Sequence, residues 1–386
     1  MIPYGRQDIR QEDIDDVIAV LKSDFLTQGP KVPQFEQSLM AFTGAKNALA
    51  VNSATSALHI ACMALELSPG DILWTSPITF VASANCGLYC GAEVDFVDID
   101  PSTYNLSPIK LEEKLVAAKA AGKLPKVLVA VHLCGQPCDM KAINELATEY
   151  DFNVIEDASH AIGGHYFEKP IGGCQYSDIT VFSFHPVKII TTAEGGAALT
   201  NDENLAKKMN LFRSHGVTRD PDLMTGEPDG DWYYQQIELG YNYRMTDLQA
   251  ALGVSQMNRL SEYVKNRHKL ADRYNTLLAA LPVRLPYQLP NTYSGLHLYP
   301  IRLKLDDINK THKQVFSELR SNGIGVNLHY IPVHTHPYYQ EMGFRVGDFP
   351  EAESYYTEAI SLPMFQTMTY EDQNKVVSVL TSVLRE

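Results

Sequence analysis

Apolar residues along the first half of the chain come in short continuous runs separated by longer amphipathic stretches. ALAV (Ala48–Val51) precedes the helical pattern SALHIACMALEL, and DILWTS (Asp71–Ser76) precedes a helical pattern through VASANCGLY. EVDFVDID (Glu93–Asp100) leads towards KLEEKLVAAKAA, KVLVAVHL (Lys126–Leu133) precedes KAINELATEY, and NVIEDA (Asn153–Ala158) follows. Uninterrupted Val/Ile/Leu strands alternating with helices predict an α/β fold, a mostly parallel sheet covered on both faces. Ligands of such sheets bind beyond the carboxyl ends of the strands.

The glycine-, proline- and aspartate-rich stretch from Gly216 to Gly240 predicts a long loop. The segment MTDLQAALGVSQMNRLSEYV then predicts one amphipathic helix, capped by Thr246 or Asp247. Beyond it a helix, a few strands (SGLHLYPIRLKL, then GIGVNLHY) and two closing helices predict a smaller α+β domain. The expected division is a large domain over 1–255, with 1–30 contributing to the substrate site, and a small domain over 256–386. A chain of 386 residues fits that prior.

Charge narrows the choice of ligand. With 32 basic and 46 acidic residues the net charge is −14, so nucleic acid is excluded as a partner and any anion must be held locally. The first sixteen residues lack the apolar core of a signal peptide, and no run is long enough to predict a membrane span. A cytoplasmic location is therefore expected. The six cysteines lack zinc-knuckle spacing and read as reduced structural thiols. His334 and His336 form a His-x-His pair with no third ligand nearby, so no metal is expected.

One residue interrupts the apolar logic. Lys188 sits in FSFHPVKIITTAEGGA (Phe182–Ala197), a run otherwise dominated by apolar residues, threonine and glycine. Lysine is seldom buried unless something pairs or reacts with it. It could simply snorkel to water. Other strand ends carry candidates with equally ordinary readings. Asp157 could cap a helix, Phe80 could be core, Ser53 and Thr55 could be N-caps, and His160 could be structural. Taken together they change the reading. A phosphate cradle at Ser53, Ala54 and Thr55, an aromatic plate, a strand-end carboxylate and a desolvated lysine are the parts that hold pyridoxal 5'-phosphate.

Over essentially its whole length the sequence resembles the sugar aminotransferases of the DegT/DnrJ/EryC1/StrS family, pyridoxal-phosphate enzymes of fold type I. The motifs that carry the likeness are NSATSAL, SPITFVASAN, IEDASHAIGG, SFHPVKIITTAEGGA and GYNYRMTDLQAALG. The resemblance implies a seven-stranded, mostly parallel sheet between helices. It also implies that Lys188 binds the coenzyme covalently and shuttles the proton, while Asp157 faces the pyridine nitrogen. Phe80 would stack on the ring, His160 would lie on its hydroxyl side, and Ala54, Thr55 and Ser183 would hold the phosphate. Asn242, from GYNYRM, would complete that site in a neighbouring subunit, which implies a homodimer with shared active sites.

Relatives that dehydrate sugars carry histidine where Lys188 stands, so transamination from L-glutamate to a UDP-sugar is expected. FLTQGP, TTAEGGA and HYIPVHTHPYY resemble the pseudaminic acid branch of the family. By that analogy Tyr4, Phe25, Leu26, Thr27, Gln28, Ser53, Ser183, Asn242 and the segment His329, Tyr330, Ile331, Pro332 would contact the substrate. Arg244 is a candidate for the glutamate carboxylate, since arginine offers a bidentate fork, with an interface salt bridge as an equal reading.

Overall fold

The computed structural model describes residues 1–385. Seven strands form the central sheet: β1 (Asn47–Val51), β2 (Ile72–Thr75), β3 (Glu93–Phe96), β4 (Val127–Val131), β5 (Asn153–Asp157), β6 (Ile179–Ser183) and β7 (Gly196–Thr200). Their spatial order is β1-β7-β6-β5-β4-β2-β3. Only β7 runs against its neighbours; the other pairings are parallel.

The continuous apolar runs have a direct cause. Successive side chains of a strand point to opposite faces, so a strand covered on both sides must be apolar at every position. In β4, Val127, Val129 and Val131 join one core, while Leu128 and Ala130 join the other. The same split recurs in β6, where Ile179 and Val181 face one core and Phe182 the other.

Register fixes the functional edge. Val131 pairs with Asp157, Asp157 with Val181, Ser183 with Gly196, and Gly196 with Val51. The carboxyl ends of β1 and β6 therefore finish level with the start of β7, and β5 ends two residues short of them. Helix α1 (Ala54–Ala64) leaves β1 after a two-residue turn, with the Ser53 side chain accepting from Ser56 N. Helix α2 (Ala82–Tyr89) packs beside it.

The single helix expected across Met245–Val264 is two: α3 (Asp247–Met257) and α4 (Leu260–Leu278). Arg259, between them, has φ −112° and ψ 1°. Its guanidinium reaches the buried Asp13 carboxylate at 2.6 Å and the Tyr263 hydroxyl at 2.9 Å. Thr246 is the α3 cap, in a reciprocal capping box with Gln249.

A third core, including Leu270, Tyr274, Ile301 and Leu380, surrounds the antiparallel strands Val283–Arg284, Tyr299–Leu303 and Ala359–Leu362. Ile2 belongs to this core, because Ile2–Pro3 pairs in parallel with Ile324–Gly325. The strand expected over GIGVNLHY shortens to those two residues. Arg267 is fully buried without a carboxylate. It donates instead to the carbonyls of Leu296, His297 and Met364 and to Gln366 Oε1, and burial lowers its pKa to about 10. Among the described residues no helix is long and apolar enough to cross a membrane.

Candidate active site

A cavity of about 550 Å³ opens at the carboxyl edge of the sheet. The turn after β6 delivers Lys188 to its wall: Lys188 N donates to His185 O at 2.9 Å, and the following Ile189 and Ile190 are buried anchors. Desolvation lowers the Lys188 amine to about 8, against the opposing pull of Asp157 and Cys134. The lysine is thus neither a snorkelling surface cation nor an ion-paired core residue. About a tenth of it is neutral, nucleophilic amine at pH 7, far more than for an ordinary lysine.

Asp157, at the end of β5, is buried and held on both oxygens. Oδ2 accepts from Ser83 Oγ at 2.7 Å and Oδ1 from Ser159 N at 3.1 Å. Opposite the sheet end, Phe80 leaves 58% of its surface exposed at the cavity, so it is no core residue. The first amides of α1 have no intrahelical acceptor, and its dipole favours an anion there. Gly196 makes room for this junction. A Cβ at that position would stand 2.5 Å from Ala54 N.

His160 shows how the far wall is set. Cys134 N donates to His160 Nδ1 at 3.2 Å, so the neutral ring carries its proton on Nε2. Nε2 lies 3.1 Å from the Tyr330 hydroxyl and donates to it, which leaves the Tyr330 proton available to a ligand. Burial, with Lys188 and His329 nearby, drives the His160 pKa well below its ordinary value. His329 is pushed to about 3, chiefly by burial; its Nδ1 lies 2.9 Å from Ser361 Oγ and its ring 5.3 Å from Tyr4.

The cavity brings together most of the residues expected from the sequence: Tyr4, Ser53, Ala54, Thr55, Phe80, Asp157, His160, Ser183, Lys188, His329 and Tyr330. Phe25, Leu26, Thr27, Gln28, Ile331, Pro332 and Asn242 do not line it. The 25–28 segment is strapped to the start of α3, where Asp247 N donates to Leu26 O and Thr27 bridges Thr246. Asn242 is tied to its own chain through its carbonyl, which accepts from Asn52 Nδ2 at 3.4 Å. Arg244 also lies outside and donates to Ser214 Oγ at 3.3 Å.

Several lining residues escaped the sequence reading: Thr79, Ser159, His185, Glu194, His297 and Asn327. His297 carried the same signal as Lys188, a polar residue inside an apolar run, SGLHLY. It is 3% exposed, its Nδ1 has no hydrogen-bond partner, and its ring centroid lies 4.6 Å from that of His160.

An amine kept partly neutral, a doubly anchored carboxylate, an open aromatic face and a helix N-terminus fit pyridoxal phosphate: covalent anchor, pyridine partner, ring plate and phosphate cradle. Among the described residues no group of three or more His, Cys, Asp or Glu side chains is placed to hold a metal ion.

Comparisons with known proteins agree with this chemistry. The model of the "DegT/DnrJ/EryC1/StrS aminotransferase family" matches residues 7–381. The spore coat polysaccharide biosynthesis protein SpsC of Bacillus subtilis is 38% identical, covering 100% of this chain and 97% of its own. A UDP-4-amino-4,6-dideoxy-N-acetyl-β-L-altrosamine transaminase of Campylobacter jejuni is 36% identical, covering 100% and 98%. The structure of Helicobacter pylori PseC, an aminotransferase involved in the biosynthesis of pseudoaminic acid, superposes with a TM-score of 0.91. It is 31% identical, over 100% of this chain and 99% of that one. The fold is that of the fold type I pyridoxal-phosphate enzymes, and the family's aminotransferases depend on that cofactor. The chain is a sugar aminotransferase and belongs to the DegT/DnrJ/EryC1/StrS family.

Proposed function

We propose that this enzyme moves the amino group of L-glutamate to the C4 ketone of UDP-2-acetamido-2,6-dideoxy-β-L-arabino-hex-4-ulose, giving UDP-4-amino-4,6-dideoxy-N-acetyl-β-L-altrosamine for pseudaminic acid biosynthesis. The full-length likeness to the Campylobacter transaminase and to PseC carries this choice of substrate. When bound, pyridoxal phosphate supplies an aldehyde and an electron-accepting ring that stabilises charge at the carbon losing its proton.

The chain's residues divide the remaining work. Lys188 holds the cofactor, takes the proton from the donor Cα and returns one to sugar C4. Asp157 keeps a proton on the pyridine nitrogen, Phe80 covers the ring, and Ser53–Thr55 with Ser183 hold the phosphate. Tyr330 offers its hydroxyl proton to an oxygen of the bound ligand, while Tyr4 and His329 shape the sugar side.

The active unit is a homodimer. No arginine lines the cavity among the described residues, yet glutamate and a UDP-sugar are both anionic. Asn242 and Arg244 stand outside their own cavity. In the homodimer they would serve the neighbour's site and supply the missing polar contacts.

The likeness to SpsC favours a second reading, a different nucleotide-linked 4-keto sugar. Incubation with glutamate and a panel of 4-keto sugar nucleotides separates the two. Turnover of the L-arabino ketose above the others supports the first reading. Its absence alongside turnover of another ketose establishes the second.

A further inference from the structure

Behind the phosphate cradle, one residue joins the first turn of α1 to the segment that carries Asn242. Asn52 N donates to Tyr243 O at 2.8 Å, and Asn52 Nδ2 donates to the Asn242 carbonyl at 3.4 Å. A carbonyl can only accept, which fixes the orientation of the Asn52 amide and turns Oδ1 the other way. There Oδ1 accepts from Ser56 Oγ at 2.7 Å. With the Ser56 proton so placed, the Ser53 hydroxyl donates to Ser56 Oγ across 2.9 Å and accepts from Ser56 N at 3.1 Å. A directed series of hydrogen bonds, Ser53 to Ser56 to Asn52, thus holds the start of α1 and leaves its free amides for the phosphate.

The far end of the series sets where Asn242 points. Tyr241 N donates to Phe212 O and Tyr243 N to Arg213 O, so this backbone is tied to 212–213 on one side and to Asn52 on the other. Bridges from Asn242 to Ser214 and from Arg244 to Val51 keep it extended. Tyr241 and Tyr243 stack at 4.9 Å and 14°. His59 of α1 packs on Tyr241 at 4.9 Å, and its Nδ1 lies 3.1 Å from the Tyr243 hydroxyl. Alternate residues of an extended segment face opposite sides. With both tyrosines turned to α1, the exposed Asn242 side chain is turned away from it.

We propose that Asn52 is a positioning residue for two cofactor sites at once. Its Oδ1 holds the phosphate cradle of its own chain, while its Nδ2 and backbone N hold Asn242 in place for the neighbour's cradle. This rests on the reading that Asn242 completes the phosphate site of a second copy. Asn52 does not line the cavity, so it acts through Ser53, Ser56 and Asn242 and touches no reacting atom. Each Asn52 of a dimer therefore serves both sites, one within its own chain and one across the interface.

The test uses mixed dimers of full-length chains, purified through two different tags, in which one chain carries Lys188→Ala and the other is wild type. Only the wild-type chain can bind pyridoxal phosphate through its lysine, so absorbance during titration of the apo-dimer reads that site alone. Adding Asn52→Ala to the Lys188→Ala chain should weaken this intact site about fivefold, as for one lost hydrogen bond. Asn242→Ala in the same chain is the control and should weaken it at least as much. A loss with Asn242→Ala but none with Asn52→Ala overturns the proposal and leaves the reading of Asn242 standing, and a loss with Asn52→Ala alone overturns the proposed route. No loss with either removes both. In homodimers, Asn52→Ala should lower cofactor affinity by a larger factor than it lowers kcat at saturating cofactor. A kcat loss that exceeds the affinity loss contradicts a positioning role.

Discussion

The Ser83 hydroxyl donates to Asp157 Oδ2 across 2.7 Å, joining the first turn of α2 to the end of β5. Ser83 Oγ also lies 2.7 Å from Thr79 Oγ1, so the carboxylate stands at the head of a short buried chain of hydroxyls. A hydrogen bond to a charged group contributes roughly 1.5–3 kcal/mol. Ser83→Ala should therefore weaken cofactor affinity about tenfold or more, with the fold retained because Ser159 N still holds Oδ1. Titration of apo-enzyme with pyridoxal phosphate, followed by absorbance, checks this. Asp157→Asn should act on the chemical step instead, lowering kcat by about a hundredfold or more.

Tyr330→Phe tests the hydrogen-bond direction deduced at His160. It removes the acceptor of His160 Nε2 and the hydroxyl proton left for a ligand. Loss of one neutral hydrogen bond of about 1 kcal/mol predicts a rise in KM for one substrate of about fivefold. Cofactor affinity should stay near wild type, since Tyr330 does not serve the phosphate or the pyridine nitrogen. A matching loss of cofactor affinity would place Tyr330 on the cofactor instead.

Gly196→Ala probes the cradle. The new methyl would lie 2.5 Å from Ala54 N and from Ser53 C, backbone atoms that cannot swing away. Overpacking of this kind destabilises by about 1–3 kcal/mol. Displacement of the α1 N-terminus should weaken phosphate and pyridoxal phosphate binding together, whereas unaltered affinity would separate the glycine from the cradle. Thermal denaturation and inorganic phosphate titration of the apo-enzyme measure the two effects.

The histidine wall sets the acid limit of stability. His160, His297 and His329 are all held neutral, with their pKa values below 6.5, chiefly through burial; His329 falls to about 3. Below pH 6.5 the unfolded chain binds protons that the folded chain refuses. Stability should therefore fall as pH drops, by about 1.4 kcal/mol per pH unit for each such histidine until its folded pKa is reached. Denaturant unfolding from pH 7 to pH 4 checks the slope. His329→Gln, which keeps a polar group without a titrating one, should flatten it by about one proton.

How much was legible beforehand follows from where each residue sits. Lys188, Asp157, Phe80 and Ser53–Thr55 lie at strand ends, and a doubly covered parallel sheet gathers all its carboxyl ends at one edge. Linear position therefore sufficed to bring them together. Asn327 and His297 depend on how later segments fold back over that edge, which no periodicity encodes. Phe25–Gln28 are exposed apolar and polar residues that resemble a binding loop, yet Asp247 and Thr246 hold them away from this protomer's cavity. The expected helix across Met245–Val264 broke at Arg259 because an ion pair to Asp13, 246 positions earlier, outweighed local propensity.

The central claim is that the partly neutral amine of Lys188 carries the cofactor. Borohydride treatment of the purified, pyridoxal-phosphate-loaded enzyme, followed by peptide mass spectrometry, tests it most directly. The expected result is a stable phosphopyridoxyl adduct on Lys188, lost in Lys188→Ala and no longer trapped after incubation with glutamate. An adduct on another lysine, or none on an enzyme that still transaminates, contradicts the account.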